Sequence, residues 1–177
     1  MGSQAASKEL VQYLINMGHR DIGFITSYYS KGLAIRRWLG FQEAMLENQV
    51  PIRPELIIEA EYTPQASLTA MEKLMTLEQP PTAVFAMTDI YMRGIIDYIA
   101  KYNVNVPKDL SVVSFDYQAL AQRTTPAVTS IVISTYELGW KTAEMFIDIM
   151  KNPIVKARHE SLPYKLEVRD TTGPPRG

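Results

Sequence analysis

Helical and strand-like segments alternate along the first two thirds of the chain, and this alternation constrains the fold more than any other feature. Short apolar, strand-like runs occur at 22–26, 56–60, 82–86 and 110–115. Helix-like segments with apolar residues at i, i+3 and i+4 spacing occur between Ser7 and Gly18 and at 34–47, 64–77 and 90–102. This order predicts a doubly wound α/β domain with a parallel sheet.

Polar residues end two of the predicted strands. The run at 82–86 leads into Thr88 and Asp89, and the run at 111–115 ends on Asp116. The two strands are about 30 residues apart, which fits a strand–helix–strand crossover. Ligands of open parallel sheets bind outside the carboxyl ends of the strands. The sequence therefore predicts a polar ligand site at this edge.

The last third of the chain has a different pattern. A β-prone run at 128–133 is followed by an amphipathic helix at 137–150 and a final strand at 162–168. The helix comes after the alternating segments, so its apolar face needs a further element to cover it. We therefore expect a doubly wound lobe with an additional returning strand and helix, in a chain that lacks a partner subdomain. Residues 1–6 are expected to be a cloning remnant or a truncated start.

Composition excludes several classes of function. A net charge of −1 lacks the basic field that binds phosphate backbones, so nucleic acid is not the expected ligand of this chain. The absence of cysteine excludes disulfides and thiolate chemistry. His19 and His159 are far apart, and no glycine-rich phosphate loop is present, so neither a metal, a cofactor nor an enzymatic activity is predicted. A structural hydrogen bond is expected for His19. No apolar run reaches membrane-spanning length, and a cytoplasmic location is expected.

Five collinear blocks resemble the lactose-repressor type of bacterial transcription regulators. They are Leu14–Ile25, Arg37–Phe41, Pro80–Asp89, Val106–Asp116, and Thr125–Ile131 with the following Leu138-Gly139. In that family, a two-lobed effector domain resembling periplasmic binding proteins is joined to a helix-turn-helix headpiece. The resemblance implies a C-terminal lobe at 7–127, a strand and helix at 128–151 that belong to a mostly missing N-terminal lobe, a return to the C-terminal lobe at 152–172, and a tail at 173–177 that we expect to be disordered.

The implied function is binding of an effector, a sugar or sugar-like metabolite, together with homodimer formation. DNA would be bound only through a headpiece absent from this chain. A periplasmic sugar-binding protein of a transport system shares the fold and is the alternative; an upstream helix-turn-helix or an upstream signal peptide would separate the two. A flavodoxin-like or hydrolytic enzyme would need a nucleophile–base pair or a phosphate loop, and the sequence shows neither.

The resemblance also implies particular site residues. Arg37 and Asp116 stand where the family contacts its effector, and a planar guanidinium and a carboxylate both suit sugar hydroxyls. Thr88 stands where the family usually has Asn, and Tyr117 where it usually has a second Asp. These two departures are expected to change specificity. The alternative roles are a solvated helix arginine and a carboxylate that caps the next segment.

Further candidates lie in the adjoining loops. Tyr62 and Tyr28 could stack on the apolar face of a sugar, with ordinary packing as the alternative. Asp89 either contacts the ligand or is the N-cap of helix 90–102. Weaker candidates for the cleft are Tyr29, Thr135 and Tyr136. The expected dimer contacts are Tyr91, Ile95, Leu120 and Arg123, taken to be exposed, with a monomer as the alternative.

Overall fold

The computed structural model describes residues 2–27, 32–116, 124–151 and 162–176. Five helices and six strands follow one another in these ranges, and one 3₁₀ turn, Pro54–Leu56, precedes the second strand. In chain order they are α1 (Gly2–Asn16), β1 (Ile22–Thr26), α2 (Gly32–Glu47), β2 (Ile57–Glu59), α3 (Pro64–Met75), β3 (Ala83–Ala86), α4 (Asp89–Tyr102), β4 (Ser111–Asp116), β5 (Thr129–Ile133), α5 (Thr135–Lys151) and β6 (Tyr164–Glu167).

The six strands form one sheet in the order β2-β1-β3-β4-β5-β6. The first five are parallel, and β6 pairs antiparallel with β5. The chain passes from β1 outward to β2 and then returns to β3 on the other side of β1, so the direction of winding reverses between β1 and β3. Because such crossovers are right-handed, α2 lies on one face of the sheet, and α3 and α4 lie on the other. The prediction of a doubly wound α/β fold is confirmed.

Aromatic rings fill the core on the α2 side of the sheet. The ring of Phe24 in β1 lies 5.1 Å from that of Phe41 and 6.0 Å from that of Trp38, both in α2. On the neighbouring strand, the ring centroid of Phe85 is 4.8 Å from that of Phe24. Offset and tilted ring pairs of this kind stabilise a core beyond the area that they bury. This cluster fixes α2 against β1 and β3.

Two glycines allow neighbouring helices to touch through their backbones. A Cβ atom at Gly94 in α4 would lie 1.9 Å from the carbonyl oxygen of Pro64 in α3. At Gly40 in α2, it would lie 2.2 Å from the carbonyl oxygen of Gln4 in α1. Non-bonded heavy atoms do not approach so closely, so both helix pairs depend on glycine at these positions.

Strand β5 does not belong where the resemblance implies. The resemblance places 128–151 in a mostly missing lobe, but β5 pairs with β4 in the same sheet, with Phe115 opposite Ile131. Val128 and Ile131 are buried in the same core as the other strands. Burial of these side chains against β4 accounts for the placement.

Helix α5 has an unusual environment for an amphipathic helix, because none of its residues is buried. Seven large apolar side chains are between 44% and 76% exposed: Tyr136, Leu138, Trp140, Phe146, Ile147, Ile149 and Met150. A soluble domain rarely leaves so large an apolar patch uncovered. Among the described helices, none is both long and apolar enough to cross a bilayer.

The C-terminal strap, Thr171–Arg176, is ordered, so the expectation of a disordered tail is wrong. The backbone N–H of Val112 donates to the carbonyl of Thr171 at 2.8 Å, and the hydroxyl of Thr171 donates to the carbonyl of Val112 at 2.6 Å. Ser111 Oγ and the backbone of Gly173 exchange two further hydrogen bonds at 3.0 Å. The strap is polar and rich in proline, but its hydrogen bonds to β4 hold it in place.

The expected structural role of His19 is confirmed. The ring is completely buried, with Nδ1 2.9 Å from Thr82 Oγ1 and Nε2 2.9 Å from the carbonyl oxygen of Gly173. Because a carbonyl only accepts, Nε2 carries the proton, and Nδ1 accepts from Thr82. Burial lowers the pKa of His19, which favours this neutral form.

We expect His19 to make stability depend on pH. Its pKa is lowered in the folded state, whereas the unfolded chain binds a proton near pH 6.5. The stability contribution is therefore fully present above that value and is lost as the pH falls below it. Urea unfolding at pH 7.5 and 5.5 should show a smaller loss of stability on acidification in His19→Gln, which cannot titrate, than in the wild type. Equal losses in the two proteins would contradict the assignment.

Candidate functional site

A pocket with a cavity volume of about 50 Å³ lies at the carboxyl edge of the sheet. Seven residues line this carboxyl-edge pocket: Leu33, Arg37, Tyr62, Thr88, Asp89, Phe115 and Ile133. Phe115 and Ile133 belong to β4 and β5, and the other five follow β1, β2 or β3 in the chain. The pocket therefore lies at the edge where the sequence predicts a ligand site, near the point where the winding reverses.

Arg37 is the most firmly held of the predicted site residues. Its side chain extends from the second turn of α2 to the end of β3, where Nη1 donates to the carbonyl oxygen of Met87. Its Cζ atom lies 3.9 Å from the centroid of the Phe115 ring. The residue is only 4% exposed. Burying a cation is costly unless such partners compensate it, so this guanidinium has a defined location at the pocket wall.

The carbonyl that receives Arg37 is itself fixed. The backbone N–H of Met87 donates to the carbonyl of Ile25 in β1 at 3.0 Å. Its sulfur accepts a hydrogen bond from Thr26 Oγ1, also at 3.0 Å. Met87 thus joins the ends of β1 and β3, and its carbonyl provides a rigid acceptor for the arginine.

Thr88 presents a buried hydroxyl to this site. The residue is 9% exposed, and its Oγ1 has no hydrogen-bond partner in the described part of the chain. Its backbone is extended (φ −147°, ψ 167°) and it is the N-cap of α4, although its side chain makes no capping bond. A buried hydroxyl without a partner costs about 1–3 kcal/mol, which a hydrogen bond from a ligand would recover.

The alternative role of Asp89 as N-cap is wrong by one residue. Helix α4 begins at Asp89 itself, and its N-cap is Thr88, whose backbone is extended. The Asp89 carboxylate accepts from the N–H of Ile90 at 2.9 Å, and an anion in the first turn is favoured by the helix dipole. Asp89 also lines the pocket.

Tyr62 is the exposed aromatic at the lip of the pocket. It is 54% exposed and meets the ring of Tyr91 edge-on, with centroids 5.7 Å apart. The packing on Tyr91 fixes one edge of the ring, and the remaining surface can meet a ligand. Of the other predicted contacts, Tyr28 lies outside the described residues, as does the side chain of Asp116, whose backbone ends β4.

Two of the four predicted dimer contacts are in the core of the monomer. Tyr91 and Ile95 have no exposed surface, so the expectation that they are exposed is wrong. Tyr91 donates to the carbonyl of Ala60 at 2.9 Å, and burial raises its pKa to about 12. Both belong to the apolar stripe of α4, which faces the sheet because the helix covers one of its faces. Leu120 and Arg123 lie outside the described residues.

Sequence reasoning missed Leu33, Phe115 and Ile133. The last two could have been found, since each stands at or next to the carboxyl end of a parallel strand, where the pocket was expected. Leu33 gives no such signal, because a 51% exposed leucine in the first turn of a helix resembles any surface residue. No three metal-ligating side chains lie together within the described ranges.

Comparison with known proteins identifies this architecture. Residues 11–172 match the model of the periplasmic binding protein-like domain. The chain is 30% identical over 170 residues to catabolite control protein A of Priestia megaterium, covering 96% of this chain and 51% of that protein. The chain spans about half the length of the relatives that it matches.

Two solved structures are similar throughout the chain. One is a crystal structure of a putative transcriptional regulator LacI from Bacillus cereus subsp. cytotoxis, with a TM-score of 0.91 and 30% identity over 97% of this chain and 61% of that one. The other is a sugar-binding transcriptional regulator of the LacI family from Escherichia coli, complexed with phosphate, with a TM-score of 0.84 and 26% identity over 98% of this chain and 62% of that one. The chain therefore belongs to the periplasmic binding protein-like domain family, in the form found in the effector-binding portion of LacI-family transcriptional regulators.

Proposed function

We propose that this chain is the effector-binding and self-associating part of a cytoplasmic, DNA-binding transcription regulator, and that its effector is a sugar or sugar-like metabolite. The observation that carries this proposal is the buried guanidinium of Arg37, held at the carboxyl-edge pocket by the Met87 carbonyl and the Phe115 ring. A planar group with several N–H donors is suited to the vicinal hydroxyls of a sugar or to a carboxylate.

Other parts of the pocket support a ligand of this kind. The exposed ring of Tyr62 offers a stacking surface, and the Thr88 hydroxyl has no hydrogen-bond partner among the residues that the structure describes. Phe115 and Ile133 add apolar surface between these groups. A sugar ring also combines apolar C–H faces with hydroxyls. The description of one similar regulator as sugar-binding agrees with this chemistry.

The carboxyl-edge pocket forms only one wall of the proposed binding site. Its volume of about 50 Å³ is far below the roughly 300–1,000 Å³ of small-molecule sites. We infer that a second lobe closes over the ligand, and that the exposed apolar surface of α5 packs against that lobe. Matched relatives about twice as long as this chain could accommodate such a lobe.

Regulation would follow from the difference between open and closed lobes. A ligand that binds the closed form more tightly shifts the population toward it, and the headpieces of the intact dimer move accordingly. The net charge of −1 agrees with DNA being bound by a separate, headpiece segment.

Leu120 and Arg123 remain the proposed self-association contacts, without Tyr91 and Ile95. The relatives are regulators, which favours this function over a transport protein or an enzyme.

The test compares the 177-residue chain with the intact protein encoded by the same gene. Calorimetry with D-ribose, D-glucose, D-galactose and cellobiose should show binding of at least one sugar by the intact protein, and binding at least about 100-fold weaker by the chain alone, because half the contacts are missing. The bound sugar should also change the affinity of the intact protein for its own promoter DNA. Sub-micromolar binding by the chain alone would contradict the second wall. Binding without any effect on DNA affinity would contradict the regulatory role.

A further inference from the structure

We infer that Phe115 is a positioning residue: it holds the guanidinium of Arg37 in the orientation that the ligand meets, and so sets the affinity of the carboxyl-edge pocket. The inference rests on the proposed function, because it takes Arg37 as the effector contact. It goes beyond that function in assigning a task to a core aromatic residue next to the predicted ligand contacts.

The contact between the two side chains has the geometry of a cation–π interaction. The Cζ atom of Arg37 lies 3.9 Å from the centroid of the Phe115 ring, well within the roughly 6 Å range of such contacts. Arg37 is 4% exposed and Phe115 is 3% exposed. Since water does not screen the pair, the attraction is stronger than that of a surface cation–π contact.

The ring of Phe115 is rigidly supported. It stacks on Phe85 with centroids 6.0 Å apart and an interplanar angle of 20°. Phe85 in turn contacts Phe24, with centroids 4.8 Å apart. The backbone of Phe115 is in register with Ile131 of β5. A row of three rings thus crosses β1, β3 and β4, and Arg37 rests on its last member.

The two anchors of Arg37 fix different degrees of freedom. The carbonyl of Met87 accepts from Nη1 and therefore fixes the direction of one N–H bond. The Phe115 ring restricts rotation of the guanidinium about that bond, because the cation is held over the ring face. Together they preorganise the guanidinium before the ligand binds, and a preorganised group loses less conformational entropy on binding.

An aliphatic residue at position 115 would preserve apolar packing but remove the second anchor. We therefore expect Phe115→Leu to leave the fold intact while the guanidinium of Arg37 becomes free to rotate. Phe115→Tyr keeps the ring and should preserve the effect. Phe85→Leu is the matched control, because it removes a buried ring from the same row while leaving the ring in contact with Arg37.

The first arm of the test is nitrogen-15 NMR of the 177-residue chain, read at the side-chain N–H resonances of Arg37. Protons held above an aromatic ring are shielded, so the wild type should show them displaced upfield. The displacement should disappear in Phe115→Leu and remain in Phe115→Tyr and in Phe85→Leu. Unshifted Arg37 resonances in the wild type would overturn the inference. An equal loss of the upfield displacement in Phe85→Leu would also overturn it, since the change would then reflect general loosening of the core.

The second arm is calorimetry of the intact protein with whichever of the four sugars binds the wild type. Phe115→Leu should weaken binding on the order of tenfold, and Phe115→Tyr by less than about twofold. Unchanged affinity in Phe115→Leu would overturn the inference. Failure of the proposed function has a different signature: no sugar binds, or Arg37→Ala leaves binding unchanged, while the upfield displacement of Arg37 is still observed. In that case the contact is structural and the positioning role is rejected.

Discussion

Gly94→Ala should destabilise the fold more than any other single-methyl change considered for this chain. The added Cβ would lie 1.9 Å from the carbonyl oxygen of Pro64 and 2.2 Å from Ser67 Oγ. The backbone of α3 cannot yield as a side-chain end can, so α3 and α4 must separate. We expect a loss of about 3 kcal/mol or more, at the upper end of what overpacking costs, despite the better helix propensity of alanine. Urea unfolding followed by circular dichroism measures this loss.

Gly139→Ala provides the matched control. Gly139 is also in a helix interior, α5, but a Cβ there would meet nothing within 4 Å. Alanine should therefore stabilise the protein slightly, by about 0.5–1 kcal/mol, or leave it unchanged. A Gly94→Ala protein whose unfolding midpoint equals that of the wild type would show that α3 and α4 are not in backbone contact.

Arg37→Ala in the intact protein should abolish the response to effector. The change removes the charged donor from the carboxyl-edge pocket and leaves the Met87 carbonyl without its Arg37 donor. Loss of hydrogen bonds to a charged group corresponds to a decrease in sugar affinity on the order of 100-fold. Binding to promoter DNA in the absence of sugar should be retained. Calorimetry and a DNA-binding assay on the same preparation measure the two properties.

The neighbouring arginine supplies the control. Arg36 is exposed, points about 100° around the helix from Arg37 and does not line the pocket, so Arg36→Ala removes an equal charge without changing the pocket wall. It should bind sugar and DNA like the wild type. Arg37→Lys should fail to restore binding, since an ammonium lacks the planar fork that the pocket orients. Normal induction in Arg37→Ala would place the effector site elsewhere.

The alternation of segments predicted the fold because each element carries its own signal. Apolar periodicity placed α2, α3, α4 and the six strands within two residues of their observed bounds. It placed the start of α1 too late: the helix begins at Gly2, within the residues expected to be a remnant or truncated start, and not after Ser7. A threonine followed by proline is typical of a helix start, and Thr63 Oγ1 accepts from the N–H of Ala66 at 3.1 Å as the N-cap of α3. Local chemistry decides such features, so a single sequence is sufficient to predict them.

The sequence was less informative where the outcome depends on tertiary contacts. Tyr91 and Ile95 were expected at a surface, but the stripe that they share with Tyr98 faces the sheet. A disordered tail was expected at 173–177, since no local pattern indicates that Gly173 bonds to Ser111, 62 residues away in the chain. For the pocket, the strand-end rule located Thr88 and Asp89, and the family resemblance located Arg37. The stacking of Arg37 on Phe115 depends on packing across α2 and β4.

The C-terminal strap has a consequence for the timing of folding during synthesis. Its hydrogen-bond partners precede it by as many as 154 positions: the carbonyl of Gly173 accepts from the ring of His19. Closing such a loop is entropically costly, and the contact cannot form until Gly173 has left the ribosome. While the nascent chain grows, the α1–β1 junction and β4 therefore lack the hydrogen bonds that the strap later provides. The last hydrogen bonds of this lobe therefore form only once the strap has been synthesised, although its helices can form earlier.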